Sequence, residues 1–421
     1  MSHVTRLLPD RPHLDVPRRE ARELLADWKK GDRAALERLR SQHPRLRRLT
    51  LEEIAAAPAR LADAQWVIAL EYRYATWAEL KHRIEKNNVS IAIQDAIHSG
   101  DADLVVALLR QNPEFLQLPL RGKSRGAALK YAADAGQLGV VKAVAALATT
   151  ELHAALDRTV LKGHLDCAGW LLANGARLRP GIVMGPCHTL NSAALSFLAD
   201  AGAPFTDEHG NKLAPLAMVL TIYSRNSAEK HACLSVFERL GYALPDTAVM
   251  AFHRGRLDLL ERHLQRDRAL LARRFPSAEI YPPNLGCVGP DFSGMCGTPI
   301  DGGTLLHLAI DFDEQEIFNW LLANGADVNV PATVDAAGFG GHTPLFNAVV
   351  GSRRGTAMGQ ELLARGADRS HRASLRKFLD WIERPHWHET LAVTPLEWGQ
   401  TFPERDWVNS ELLAQLSAPH S

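Results

Sequence analysis

The sequence has no excess of either charge, few cysteines and no long apolar run. Its 421 residues carry 48 Lys and Arg against 48 Asp and Glu, which argues against a dedicated nucleic-acid binder. The five cysteines are odd in number and irregular in spacing, so a reduced cytoplasmic compartment is favoured over a disulfide framework. No run of about 18 apolar residues occurs and the start of the chain has no signal-peptide core, so we expect no membrane association.

The short motifs of the common enzyme classes are missing as well. There is no GxSxG, no P-loop, no HExxH and no dinucleotide-binding fingerprint. Nucleophilic and phosphoryl-transfer enzymes therefore have little support, and the sequence designates no catalytic residue and no cofactor.

The clearest pattern that is present lies at residues 304–329, where two short apolar stripes are followed by a glycine. The first stripe is Leu305, Leu306, Ala309 and Ile310, and the second is Ile317, Phe318, Leu321 and Leu322. This periodicity predicts two helices, and Gly325 stands where a left-handed helix cap is needed. Neither helix is long enough to be stable alone, so the unit must stack on copies of itself.

Copies of this unit occur elsewhere in the chain. One spans residues 341–368, one begins at Thr394 and one spans residues 162–176. Thr304, Leu306, His307 and Ala309, followed by Gly325-Ala326-Asp327-Val328-Asn329, resemble one ankyrin repeat, although Leu305 stands where the family usually has proline.

The resemblance implies an all-α ankyrin-repeat solenoid of helix-turn-helix repeats with short hairpin-like loops. It implies that His307 is structural and ties neighbouring loops by hydrogen bonds. It also implies a protein partner, since the first helices and loop tips of such stacks line the concave face that usually meets partners. We expect a monomer.

The chain divides into four predicted segments: a helical N-terminal module at 1–88, degenerate repeats at 89–267, an insertion at 268–303, and repeats with a C-terminal cap at 304–421. Residues up to about 20 are expected to be extended or loosely docked, with a helix pair at 21–46. Gly31 and Asp32 recur as Gly100 and Asp101, so the module is itself built like a repeat, and it resembles one found ahead of ankyrin repeats in bacterial proteins. Nine helix pairs follow, at about 91–112, 127–148, 152–175, 183–202, 212–241, 246–267, 304–325, 343–366 and 394–416.

The insertion is rich in glycine and proline, yet its apolar residues are too many for a disordered linker. They are Phe275, Ile280, Tyr281, Leu285, Phe292 and Met295. We expect this segment to fold back onto the stack, either as a functional loop or as packing. Residues 330–340 and 370–392 are expected to be lengthened loops.

Metal-binding patterns are weak. Cys287 and Cys296 do not have zinc-finger spacing. His386 and His388 could ligate one ion from an extended segment, with Glu389 completing it. We favour a surface loop that Trp387 anchors to the last repeat, and we predict no bound metal.

Charge is unevenly placed near the best repeat. Residues 301–330 carry six acidic residues and no Lys or Arg, and the next repeat places a basic pair at the corresponding turn. We predict a polar partner-binding surface, although a charge run is usually an ordinary solvated face. Its members are Asp301, Asp311, Asp313, Glu314, Phe339, His342, Arg353 and Arg354. The alternative hypothesis is an enzyme or small-ligand binder with a pocket between the repeats and the 268–303 insertion.

Three expectations follow for variants. Leu172, Leu322 and Leu363 should be buried between repeats. Changing Asp311 and Asp313 to lysine should weaken binding and leave melting nearly unchanged. Deleting residues 276–300 should abolish binding if the insertion forms one wall of the site.

Overall fold

The computed structural model describes residues 6–120, 126–148, 151–287, 297–351, 355–379, 386–402 and 408–418. Two compact units divide the chain: Met1–Thr159 with Asp166–Ala176, and Val160–Leu165 with Arg177–Ser421. Among the described residues, no helix is both long and apolar enough to cross a membrane.

The first unit is helical. Its helices are α1 Asp15–Lys30, α2 Arg33–Gln42, α3 Leu51–Ala56, α4 Leu61–Glu71, α5 Trp77–Ser99, α6 Ala102–Gln111, α7 Ala128–Asp134, α8 Leu138–Ala145, α9 Leu152–Lys162 and α10 Leu165–Ala173, with a 3-10 helix at Pro113–Leu116; α9 and α10 each cross a limit of the unit. Helix α1 begins at Asp15, so the expectation of an extended or loosely docked segment up to about residue 20 is wrong from Asp15 onward. Its apolar stripe explains the early start, since Ala21, Leu24 and Trp28 are buried in the core of the module.

The second unit continues the helix pairs and adds one hairpin. Its helices are α11 Met184–Thr189, α12 Ser192–Asp200, α13 Ala214–Thr221, α14 Ser227–Arg239, α15 Ala248–His253, α16 Leu257–Arg266, α17 Ser277–Ile280, α18 Leu305–Asp311, α19 Gln315–Ala323, α20 Pro344–Val349, α21 Gly355–Ala364, α22 Pro395–Gln400 and α23 Ser410–Ser417, with 3-10 helices at Arg268–Leu271 and Pro283–Leu285. Its two strands are β1 Ala373–Leu379 and β2 His386–Val393.

All nine predicted helix pairs are present, from α5 and α6 to α22 and α23. Gly100, Gly136, Gly163 and Gly255 have φ of 74°, 70°, 79° and 63° in the turns between paired helices. Glycine adopts this left-handed conformation without strain. Asp313 replaces the glycine in the pair α18 and α19 with φ of 58°, a conformation that costs a non-glycine residue about 1–2 kcal/mol.

Within the predicted loop 370–392, the described residues form an antiparallel pair of strands, β1 and β2, which we call the β-hairpin. Strand β1 pairs with β2 from Ala373 opposite Val393 to Leu379 opposite His386, with an irregularity between Ala373 and Leu375. Burial alternates along β1: Ala373, Leu375 and Lys377 are buried, and the residues between them are not. This period of two, characteristic of a strand with one covered face, was missed.

The insertion packs onto the second unit, as predicted for the residues that are described. Phe275 and Gly303 form an antiparallel bridge that closes the base of the insertion. Phe275, Ile280 and Ile300 are at most 1% exposed. Phe292, Met295 and Cys296 lie outside the described residues.

The leucine pairs at the ends of the second helices are only partly as predicted. Leu322 is buried, but Leu172 and Leu363 are half-buried, and it is the preceding leucine of each pair that is fully buried. Successive helical positions differ by about 100° in direction, so one leucine faces the core fully and its neighbour lies at the edge.

We expect Leu362→Ala to lower the free energy of unfolding by about 2–5 kcal/mol, the usual range for a fully buried leucine. Leu363→Ala is the matched control and should cost less than half as much. Urea denaturation of both variants measures the difference, and equal losses would show that the two leucines are equally buried.

Candidate functional site

A cleft of about 370 Å³ lies in the second unit where the insertion, the loop 330–340 and the β-hairpin meet. We call it the loop cleft. Three predicted partner-binding residues line it: Asp301, Phe339 and His342. Asp335, Arg376 and Trp387, which were not predicted to bind a partner, also line it.

The insertion supplies Asp301. Backbone hydrogen bonds of 2.9 and 2.8 Å join Phe275 to Gly303 and Gly302. These bonds fix the backbone next to Asp301, which precedes Gly302. The backbone N–H of Ser277 donates to Asp301 Oδ1 at 2.6 Å. The Asp301 side chain is exposed and forms no ion pair among the described residues, so its negative charge is free to act on a ligand.

The loop 330–340 forms the second wall. Thr333 donates its backbone N–H to Gly302 at 2.9 Å, which joins the loop to the insertion. Gly340 has φ of 121°, and a Cβ there would be 2.0 Å from the Thr333 carbonyl oxygen, so only glycine fits. Asp335 Oδ1 accepts the backbone N–H groups of Phe339 and Ala337, and these bonds, with the nearby Arg376, hold the pKa of Asp335 below its usual value.

The hairpin supplies Arg376 and Trp387. Arg376 donates to Asp335 Oδ2 at 2.7 Å. Its guanidinium lies 5.0 Å from the Phe339 ring and 5.4 Å from the Trp387 ring. Phe378 lies opposite Trp387 in the hairpin, with ring centroids 5.3 Å apart, so the two rings pack against each other. Trp387 nevertheless remains 46% exposed.

Two buried histidines support the floor of the cleft. His307 Nδ1 accepts the Thr304 backbone N–H at 3.0 Å, and its Nε2 donates to the His342 carbonyl at 3.0 Å. The predicted structural role of His307 is therefore confirmed. His342 Nε2 donates to the Pro299 carbonyl at 2.8 Å. Burial lowers the pKa of His307 to about 3 and that of His342 to about 4, so both rings are neutral at physiological pH.

The predicted acidic surface at the end of α18 is not exposed. Asp311 is 2% exposed, and its carboxylate accepts a 2.8 Å hydrogen bond from Arg225. Arg225 Nε also donates to the Asp311 carbonyl at 2.6 Å, and its guanidinium lies 4.7 Å from the Phe312 ring. This partner, from the turn between α13 and α14, was not foreseen, because nothing in the local sequence indicates a contact between residues 86 positions apart.

Glu314 and Asp313 are buried at the same turn. Glu314 is 3% and Asp313 9% exposed. Glu314 Oε1 is 2.8 Å from His231 Nε2. These residues line a second cavity of about 370 Å³ beside Gly255, which is distinct from the loop cleft in its lining. The predicted binding residues are therefore divided between two places.

A buried lysine lies behind this turn. Lys230 Nζ is 2.9 Å from His253 Nδ1, 3.3 Å from the Leu220 carbonyl and 4.2 Å from the Phe312 ring. Burial, with the charge of Arg225, lowers the pKa of Lys230 to about 7. These contacts place Lys230 in the core, where it joins the end of α13 to the two helix pairs that follow α14.

The remaining predicted residues are Arg353, Arg354, His386 and His388. Arg353 and Arg354 lie outside the described residues. His386 and His388 lie on β2, and within the described part of the chain no three His, Cys, Asp or Glu residues cluster as metal ligands. His388 packs 5.9 Å from the Trp398 ring and 4.6 Å from the Phe402 ring, so this histidine, rather than Trp387, anchors the hairpin to the last repeat.

The missed cleft residues had a local signal. Residues 373–379 and 386–393 contain no glycine or proline and include strand-favouring residues such as Phe378, Trp387 and Val393, which favours a strand pair. That pairing would have placed Arg376 and Trp387 on the same face. Their meeting with Asp335 had no local signal.

The comparison with family models identifies one helix pair of this chain. The ankyrin repeat family model matches residues 301–332, which contain α18 and α19. The chain therefore contains an ankyrin repeat at these residues, and its mostly helical repeat fold is as predicted. Among solved structures, the ankyrin repeat domain of human ASB11 matches at 17% identity, covering 70% of this chain and 99% of that chain with a TM-score of 0.28. No curated protein matches the sequence.

Proposed function

We propose that the chain is an interaction module that binds a protein partner in the loop cleft. Ankyrin repeats generally mediate protein–protein contacts. The observation that carries the proposal is the juxtaposition in one concave site of an exposed Trp387, Arg376 and the Asp301 carboxylate, which forms no ion pair with a described residue. Tryptophan and arginine are the residues most enriched among those that dominate binding energy at interfaces.

The rigidity of the cleft supports this proposal. His307 joins the loop 330–340 to α18 through the His342 carbonyl, and Gly340 donates its N–H to Ser374 at 2.7 Å. The walls are thus held in place before a partner arrives, which reduces the entropy lost on binding.

We further propose that the protein acts as a monomer in the cytoplasm. The four described cysteines, Cys167, Cys187, Cys233 and Cys287, are unpaired and buried, as suits a reducing compartment. The bacterial origin suggested by the N-terminal module stays a prediction.

A photo-crosslinking amino acid at Thr333, which is exposed in the cleft, should capture the partner in the source cell, whereas the same group at Leu104 in the first unit should not.

With the partner purified, Trp387→Ala should weaken its affinity by about 30-fold or more, the effect of losing a dominant interface residue. Trp66→Ala, at a 39% exposed tryptophan in the first unit, is the matched control. A partner that binds the Trp387 variant as tightly as the parent would place the interface elsewhere.

A second candidate function is binding of a small molecule in the same cleft. Its volume lies within the range of about 300–1,000 Å³ usual for such sites, and it forms between the insertion and the next repeat, as the alternative hypothesis required. Native mass spectrometry of the purified protein tests it: a co-purifying small molecule that is absent from Trp387→Ala would favour this function.

A further inference from the structure

The charges in the loop cleft are unbalanced. Asp301 and Asp335 bring two negative charges, and Arg376 is the one Lys or Arg among the described lining residues. Its guanidinium is already bound to Asp335 and held against the rings of Phe339 and Trp387. The cleft therefore has one uncompensated carboxylate, that of Asp301.

The polar groups available to a ligand accept hydrogen bonds. The Asp301 carboxylate accepts one backbone N–H from Ser277 and has further lone pairs. His342, which is 1% exposed in the wall, uses Nε2 to donate to Pro299, so its Nδ1 is an acceptor without a partner among the described residues. A donor entering the cleft thus finds the exposed Asp301 carboxylate as an acceptor, beside the hydroxyls of Ser277 and Thr333, which can also accept.

The apolar part of the lining suits a long aliphatic stem. Pro299, Leu375, Phe339 and Trp387 supply the apolar side chains of the lining. Basic side chains place their methylene groups along apolar surface while the charged head reaches a polar partner. Arg376 shows that a guanidinium already rests between two rings of this cleft.

We propose that the loop cleft binds an arginine side chain of the partner, with Asp301 accepting from the guanidinium and the rim of Phe339 and Trp387 covering the stem. The inference rests on the proposed function and specifies the chemistry of its ligand. Arginine is favoured over lysine because a planar guanidinium can donate twice to one carboxylate and keep donors for a second acceptor.

The test uses N-acetyl-arginine-N-methylamide as the probe and the indole N–H signal of Trp387, assigned through Trp387→Phe, as the readout. The signal should shift on titration into the full chain at millimolar probe. The citrulline analogue, which has the same shape without the charge, should leave it unmoved, and the lysine analogue should bind about threefold more weakly. An equal or larger response to the lysine, citrulline or glutamate analogue would overturn the proposal.

Variants locate the contact. Asp301→Asn keeps the shape and removes the charge, so it should weaken probe binding about three- to fivefold, the worth of a solvent-facing ion pair. Asp103→Asn, on an exposed carboxylate of the first unit, is the control and should change nothing. Unchanged binding to Asp301→Asn would overturn the proposal, as would a Trp387 shift that follows protein concentration without probe, which would indicate a second copy of the chain as occupant.

The two proposals fail separately. A partner captured at Thr333 whose affinity needs Trp387, with no response to the arginine probe, would reject the arginine ligand and leave the interface standing. A response to the probe, with a captured partner indifferent to Trp387, would keep the arginine site and reject the interface.

Discussion

Replacing Asp311 with alanine should lower the free energy of unfolding by about 3–5 kcal/mol, the range for breaking a buried ion pair by removing one partner. Arg225 and Asp311 are 15% and 2% exposed in their side chains, and two hydrogen bonds of 2.8 and 2.6 Å join the guanidinium to the carboxylate and carbonyl of Asp311. The loss arises because the arginine would stay buried without its counter-ion. Urea denaturation of the full chain measures it.

Matched variants separate this pair from a general effect of removing charge. Arg225→Ala should cost a similar amount, whereas Asp103→Ala on the surface should stay within about 0.5 kcal/mol of the parent. Arg225→Met combined with Asp311→Leu should recover most of the loss, because a buried ion pair can often be replaced by apolar groups of similar size. A loss below about 1 kcal/mol for Asp311→Ala would show that the carboxylate is hydrated in the native state.

This expected result reverses one sequence prediction. A change of Asp311 and Asp313 to lysine was expected to leave melting unchanged, but Asp311 is buried against Arg225 and Asp313 is 9% exposed. The acidic cluster was identified correctly as unusual, and its cause is a structural contact with the turn after α13. A cluster of charge in a sequence indicates that a partner exists without showing whether that partner is within the chain.

The repeats could be predicted because their determinants are local. Gly100 and Asp101 illustrate this, since the glycine closes α5 in a left-handed conformation and the aspartate accepts the Leu104 N–H at the start of α6. The same is true of Gly31 and Asp32, which end α1 and cap α2. Caps and turns depend on residues a few positions apart, so they appear directly in the sequence.

The loop cleft was predictable only in part. Asp301, Phe339 and His342 were selected because they lie near one repeat, and they do line one site. Asp335 and Arg376 were missed because their hydrogen bond joins residues 41 positions apart across two inter-repeat segments of irregular length. No periodicity specifies how such segments meet.

The insertion shows the same limit. Its apolar residues predicted docking correctly, but Ile280 also accepts a hydrogen bond from the buried His253 at 2.8 Å. Deleting residues 276–300 would expose that histidine and its apolar neighbours, so lost binding in the deletion would report unfolding as well as a missing wall. The point variants Asp301→Asn and Trp387→Ala test the cleft without this ambiguity.

The second large effect is a loss of stability in mild acid. His307 and His342 are fully buried, and burial lowers their pKa values to about 3 and about 4 from an ordinary 6.5. Above pH 6.5 both states are neutral at these positions and stability is unaffected. As the pH falls below 6.5, the unfolded chain takes up protons that the folded chain excludes, so stability falls until the folded pKa values are reached.

The expected slope is about 1.4 kcal/mol per pH unit for each histidine between pH 6 and pH 4.5, or about 4 kcal/mol for the two together. Urea denaturation at half-unit steps of pH measures it. His307→Gln should lower stability at pH 7, because the bonds to Thr304 and the His342 carbonyl are disturbed, but should reduce the slope by about 1.4 kcal/mol per unit. His209→Gln, at an 82% exposed ring, should leave the slope unchanged. If the unfolding free energy of His307→Gln falls with decreasing pH as steeply as that of the parent, His307 has an ordinary pKa in the folded protein. It would then not be the buried residue that joins α18 to the floor of the loop cleft.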